Sequence, residues 1–117
     1  AGNHDLTLDI DLSETKKEGD LGNQYYSHHA KRFHGNVNYD ALEIKREFVK
    51  HCTYLEDEAV EIQGLKIYGS PHSPWFCDWA FGPERGEQIL EQWKKIPDDV
   101  DLLMTHGPPV GHGDLCQ

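Results

Sequence analysis

From Pro83 to His106 the chain reads as a helix, then a strand, then a polar residue at the strand's tip. Pro83 suits a first helical turn, Glu84 and Glu87 stand near the positive end, and Lys94 and Lys95 stand near the negative end. Ile89, Leu90, Trp93 and Ile96 share one face, and Pro97 ends the helix. Val100, Leu102, Leu103 and Met104 then form a nearly unbroken apolar run, the pattern of a strand covered on both faces. The run leads into Thr105-His106-Gly107-Pro108-Pro109. This succession is that of an α/β protein, in which ligands sit beyond the C-terminal tips of the strands.

The preceding segments fit the same class. Asp40 can cap a helix over residues 40 to 51, with Glu43 three residues on and Ala41, Ile44 and Phe48 on one face. Thr53-Tyr54-Leu55 is a short strand candidate. Val60 and Ile62 alternate with Glu61 and Gln63, Gly64 permits a turn, and Leu65 and Ile67 alternate with Lys66 and Tyr68, which predicts a hairpin running into Gly69-Ser70-Pro71. Residues 1 to 8 read as a loop leaving the end of a strand that precedes Ala1, and residues 9 to 38 as a polar loop with a helical turn or two.

Charge narrows the partners. With 11 Lys+Arg against 21 Asp+Glu the net charge is −10, and no basic stripe offsets it, so nucleic-acid polymers are excluded as partners while divalent cations are suited. No apolar run is long enough to cross a bilayer, and no membrane partner is expected. Cys52, Cys77 and Cys116 are odd in number and widely spaced, which predicts free thiols in a reducing, cytoplasmic setting.

Two short elements carry chemistry. In Gly2-Asn3-His4-Asp5, glycine allows a tight turn, the Asn3 carbonyl is a hard donor for a divalent ion, and His4 beside an acid is a proton donor that the carboxylate can orient. His106 follows the buried strand, and the Gly107-Pro108-Pro109 turn fixes the direction of its ring. Together they point to a metal site. The loop from Gly69 to Gly82 gathers Trp75, Phe76, Trp79 and Phe81, rings that either wall a substrate pocket or pack the loop onto the core, with His72 facing phosphate or base in the first case. His28, His29 and His34 read as solvated surface, and His112 as a loop residue.

Gly2-Asn3-His4-Asp5 and Thr105-His106-Gly107-Pro108-Pro109 resemble two signature blocks of the calcineurin-like metallophosphoesterase superfamily. Residues 1 to 9, 67 to 76, Arg85-Gly86 and 96 to 109 resemble its metallophosphoesterase domain-containing branch of cyclic-nucleotide phosphodiesterases, which more often has Glu where this chain has Asp5. The resemblance covers most of the chain outside residues 10 to 38.

What the resemblance implies is hydrolysis of a phosphoester, a nucleotide or cyclic nucleotide, by a hydroxide held between two divalent ions of manganese, iron, zinc or magnesium. Carried over by residue, Asn3 and His106 resemble ligands of the second metal, and His4 resembles the residue that contacts the scissile phosphate and assists the leaving oxygen, with Asp5 orienting it. His72, Trp75 and Phe76 are the candidates for substrate binding. The family's Asp-x-His and Gly-Asp blocks are expected before Ala1 and its Gly-His-x-His block after Gln117; Gly19-Asp20 and Gly113-Asp114 stand in the wrong order to replace them. The chain is therefore expected to be the central portion of a four-layer α/β/β/α sandwich, a partial domain inactive by itself. The competing expectation is a catalytically silent module that binds a nucleotide or a protein.

Overall fold

In the computed structural model of the chain, the structure describes residues 1–10, 40–77 and 79–115. The expectations for residues 11–38, with His28, His29 and His34, and for Cys116 lie outside these. Within them the fold is mixed α/β, with helix α1 (Ala41–Phe48), strands β1 (Glu58–Ile62) and β2 (Leu65–Ser70), helix α2 (Glu87–Trp93) and strand β3 (Leu102–Thr105) in chain order.

Each element begins where its sequence supplies the means. Asp40 caps α1, its Oδ1 accepting the Leu42 N–H at 2.9 Å and the Glu43 N–H at 3.1 Å. β1 and β2 form the expected antiparallel hairpin, with Val60 opposite Ile67 and Ile62 opposite Leu65. The turn places Gln63 and Gly64 both at positive φ (53° and 78°), the two-residue geometry that matches the twist of a hairpin. β3 then lies parallel to β2, Ile67 opposite Leu102 and Ser70 opposite Thr105, so the sheet order is β1-β2-β3. A parallel pair needs a crossover connection, and α2 lies within it.

Three expectations change. Residues 53 to 55 are not a strand; the chain there runs past β2, and Leu55 lies so close to Gly69 that a Cβ on that glycine would stand 2.5 Å from Leu55 Cβ. α2 starts at Glu87, four residues after Pro83, because Gly86 takes φ 96°, outside the helical region, and the Glu84 N–H is met by the Gln88 side chain instead. β3 is not covered on both faces: Leu102, Leu103 and Met104 are 50%, 45% and 57% exposed. β3 is an edge strand of the sheet and pairs with β2 alone among the described residues.

The core sits at one end of the sheet. Leu6, Leu8, Ala80 and Phe81 form its buried cluster, and Ile44, Tyr54 and Trp79 pack against it. It joins the first ten residues to the loop after β2. Burial along β2 rises toward its C-terminal end, where Tyr68, Gly69 and Ser70 are all buried. No helix among the described residues is long and apolar enough to cross a membrane.

Candidate metal centre

The C-terminal ends of the two parallel strands stand side by side, which sets Pro71 and His106 at the same edge. The turn at the start of the chain closes against this edge. Its own bonds are reciprocal: the Gly2 N–H donates to Asp5 Oδ2 at 2.7 Å, and the Asp5 N–H donates to the Gly2 carbonyl at 2.9 Å. The ring of His106 lies over Gly2, so closely that a Cβ there would meet Nδ1 at 2.2 Å. Sequence alone assigns Gly2 to the tight turn; the structure shows that it also leaves room for an imidazole.

That packing aims His106 Nε2 at Asn3 Oδ1, 2.9 Å away. The two donors expected to share an ion are thus neighbours, although 103 residues separate them. Their separation fits joint ligation: ligands at right angles about an ion, with bonds of about 2.1 Å, stand roughly 3 Å apart. An amide carbonyl and an imidazole nitrogen also suit a divalent cation of borderline hardness. Among the described residues no group of three or more His, Cys, Asp or Glu side chains is placed to hold a metal, and Asn3 and His106 meet as a pair.

His4 and Asp5 are exposed beside this pair. Asp5 holds the turn through Gly2 and shows no bond to the His4 ring; the ring instead stacks at a tilt on Trp79, centroids 4.3 Å apart. Of the substrate candidates, Trp75 and Phe76 are exposed, and Phe76 meets Trp79 edge-on at 5.5 Å. His72 turns elsewhere, its Nε2 2.9 Å from Asp57 Oδ2.

An open cavity of about 430 Å³ adjoins His106 on another side. Gly69, Ser70 and Pro71 line it together with Phe48, Tyr54, Leu55 and Met104. Tyr54 is a fixed wall: its hydroxyl donates to Glu56 Oε2 at 2.7 Å, Lys45 bonds the same oxygen at 2.8 Å and stands over the Tyr54 ring, and Phe48 meets that ring edge-on. Burial, then the bond to Glu56, holds the Tyr54 hydroxyl far above its usual range, so it stays a donor. His72, Trp75 and Phe76 do not line this cavity.

A second polar cluster was not signalled by the sequence. Asp57 accepts from Ser70 Oγ at 2.6 Å, faces His72 Nε2 at 2.9 Å and pairs with Lys95 at 3.2 Å. It does so from φ 52°, a left-handed conformation to which Asp is better suited than most residues. Nothing in the spacing separates Asp57 from its neighbours Glu56 and Glu58.

No family model matches the chain. Individual relatives do. Metallophosphoesterase domain-containing protein 1 of Homo sapiens is 40% identical over 114 residues, which is 97% of this chain and 33% of that protein. The chain is similar to proteins named for a metallophosphoesterase domain. The same protein of Mus musculus matches to the same extent, and a UPF0046 protein of Caenorhabditis elegans is 41% identical over 118 residues, 98% of this chain and 35% of its own length. The chain thus spans about a third of the length of these curated relatives.

Proposed function

We propose that the protein carrying this chain hydrolyses a small phosphoester, a nucleotide or cyclic nucleotide, with two divalent metal ions. The observation that carries the reading is the 2.9 Å approach of Asn3 Oδ1 to His106 Nε2, beside His4. When bound, the ions supply a water of lowered pKa and offset charge on the phosphoryl oxygens. Asn3 and His106 would hold the second of them. His4, exposed next to Asn3, gives a proton to the leaving oxygen, and Asp5 keeps the turn closed through the Gly2 N–H, so that Asn3 and His4 project from a fixed backbone. The cavity beside His106 takes the apolar part of the ester, with the Tyr54 ring as its fixed wall.

This reading places the chain as the central portion of a four-layer α/β/β/α sandwich in a cytoplasmic phosphodiesterase, with neither membrane nor nucleic-acid polymer as partner. The relatives' greater length supports the partial-domain reading. In the full-length protein, Asn3→Ala or His106→Ala abolishes manganese-dependent hydrolysis of bis(p-nitrophenyl) phosphate and of nucleotide substrates; retained turnover overturns the proposal. The cavity also supports a second reading, a catalytically silent module that binds a nucleotide or a protein. Calorimetric binding of AMP with no turnover in manganese selects it.

A further inference from the structure

A proton donor is useful only if its ring is held in one direction, and the turn that carries His4 does not hold it. The neighbouring carboxylate is engaged with the Gly2 N–H at 2.7 Å. The ring contact of His4 among the described residues is Trp79, with centroids 4.3 Å apart and planes inclined at 55°. We infer that Trp79 is a positioning residue for His4, fixing the direction of the imidazole during the phosphoester hydrolysis proposed above, on which this inference rests.

The indole can act in this way because its loop is fastened to the turn on both sides. The Ala80 N–H donates to the Asn3 carbonyl at 3.1 Å, so the residue after Trp79 is bonded to the residue before His4. The Phe81 N–H donates to Asp9 Oδ2 at 2.7 Å in a buried bond. Ala80 is fully buried, and Phe81 nearly so. Phe81 takes φ 53°, a left-handed conformation that a bulky side chain adopts only where its surroundings hold it there. On the near side, the Trp75 N–H bonds the Pro83 carbonyl at 2.8 Å and the Ser73 N–H bonds the Phe81 carbonyl at 3.0 Å, closing the loop on itself. Phe76 backs the indole edge-on at 5.5 Å. The aromatic loop is therefore neither a simple pocket wall nor inert packing: it forms a buttress for the His4 ring.

The test uses the full-length protein with Trp79→Leu and Trp79→Phe, manganese, and adenosine 3′,5′-cyclic phosphate, whose leaving ribose oxygen needs a proton. In parallel it follows, with diamagnetic magnesium in place of manganese, the His4 Cε1–H resonance, assigned by its loss in His4→Asn. Trp79→Leu is expected to lower kcat on the order of 10²-fold, the scale of a general acid's contribution, with KM nearly unchanged. Its His4 resonance shifts as the indole ring current is lost. Trp79→Phe, which keeps a ring, recovers most of kcat and part of the shift. A His4 resonance unmoved in both variants overturns the inference, whatever happens to kcat, and so does a loss in Trp79→Leu expressed wholly in KM. Should the leucine variant fail to fold, the phenylalanine variant and cross-relaxation between the His4 and Trp79 ring protons in the unaltered protein decide the point. An unaltered protein without turnover refutes the proposed hydrolysis, while the resonance still decides whether Trp79 holds His4.

Discussion

The imidazole of His106 rests on the α-carbon of Gly2, and a Cβ at that glycine would fall 2.2 Å from Nδ1 and 2.4 Å from Cε1. Since real Cβ contacts at that distance do not occur, Gly2→Ala must push the ring away from Asn3. We expect Gly2→Ala to fold and yet lose hydrolysis by about 10²-fold, the usual consequence of displacing a functional group by roughly 1 Å. Steady-state kinetics with manganese titration checks this; full activity in the alanine variant would show that His106 is free to approach from elsewhere.

Asp57 accepts from Ser70 and faces both His72 and Lys95 at the buried end of β2, where Ser70 lines the cavity. Asp57→Ala leaves these groups without their shared acceptor and is expected to destabilise the fold by on the order of 3 kcal/mol. Asp57→Asn, which keeps an oxygen for Ser70 and tolerates positive φ, is expected to retain much of that stability. Urea midpoints of the two variants make the comparison.

Asp9 is buried and bonds the Phe81 N–H. Removing the acceptor in Asp9→Ala is expected to cost about 1–3 kcal/mol. The loss should appear first as faster hydrogen exchange at Phe81 and Ala80, because those amides fasten the aromatic loop.

Tyr68 is 2% exposed, and its hydroxyl finds no hydrogen-bond partner among the described residues. Tyr68→Phe is therefore expected to leave the urea midpoint at neutral pH unchanged, or to raise stability by up to about 1 kcal/mol. Burial first, then the charges of Asp57 and Glu58, raise the Tyr68 pKa above its ordinary value near 10. The unfolded chain loses this proton first, so the stability is whole below about pH 10 and falls as pH rises beyond it. Thermal melts across that range should show a shallower alkaline decline in Tyr68→Phe.

Much of this was legible in the residues themselves. The hairpin followed from alternation about Gly64, α1 from the Asp40 cap, and the pairing of Asn3 with His106 from two resembling blocks at opposite ends of the chain. What escaped were features set by tertiary contact. The apolar run Leu102-Leu103-Met104 reads as covered on both faces, yet its side chains are about half exposed, on a strand at the edge of the sheet among the described residues. Asp5 reads as the partner of the neighbouring His4, but its Oδ2 accepts the Gly2 N–H and the His4 ring packs on Trp79 instead. Trp79 was visible as one ring among several; which ring touched His4 depended on left-handed residues at Cys77 and Phe81 that sequence patterns do not announce.

The contact between Asn3 and His106 also joins nearly the two ends of the described chain. Closing a loop of this length costs roughly 4 kcal/mol of chain entropy, so the pair forms only once the sheet, the crossover and the aromatic loop have brought the two ends together. A ligand that grips both side chains therefore selects the completed fold over every partly assembled one. Its effect on melting temperature is global, and occupancy of this small junction becomes a measure of how much of the chain has reached its final topology.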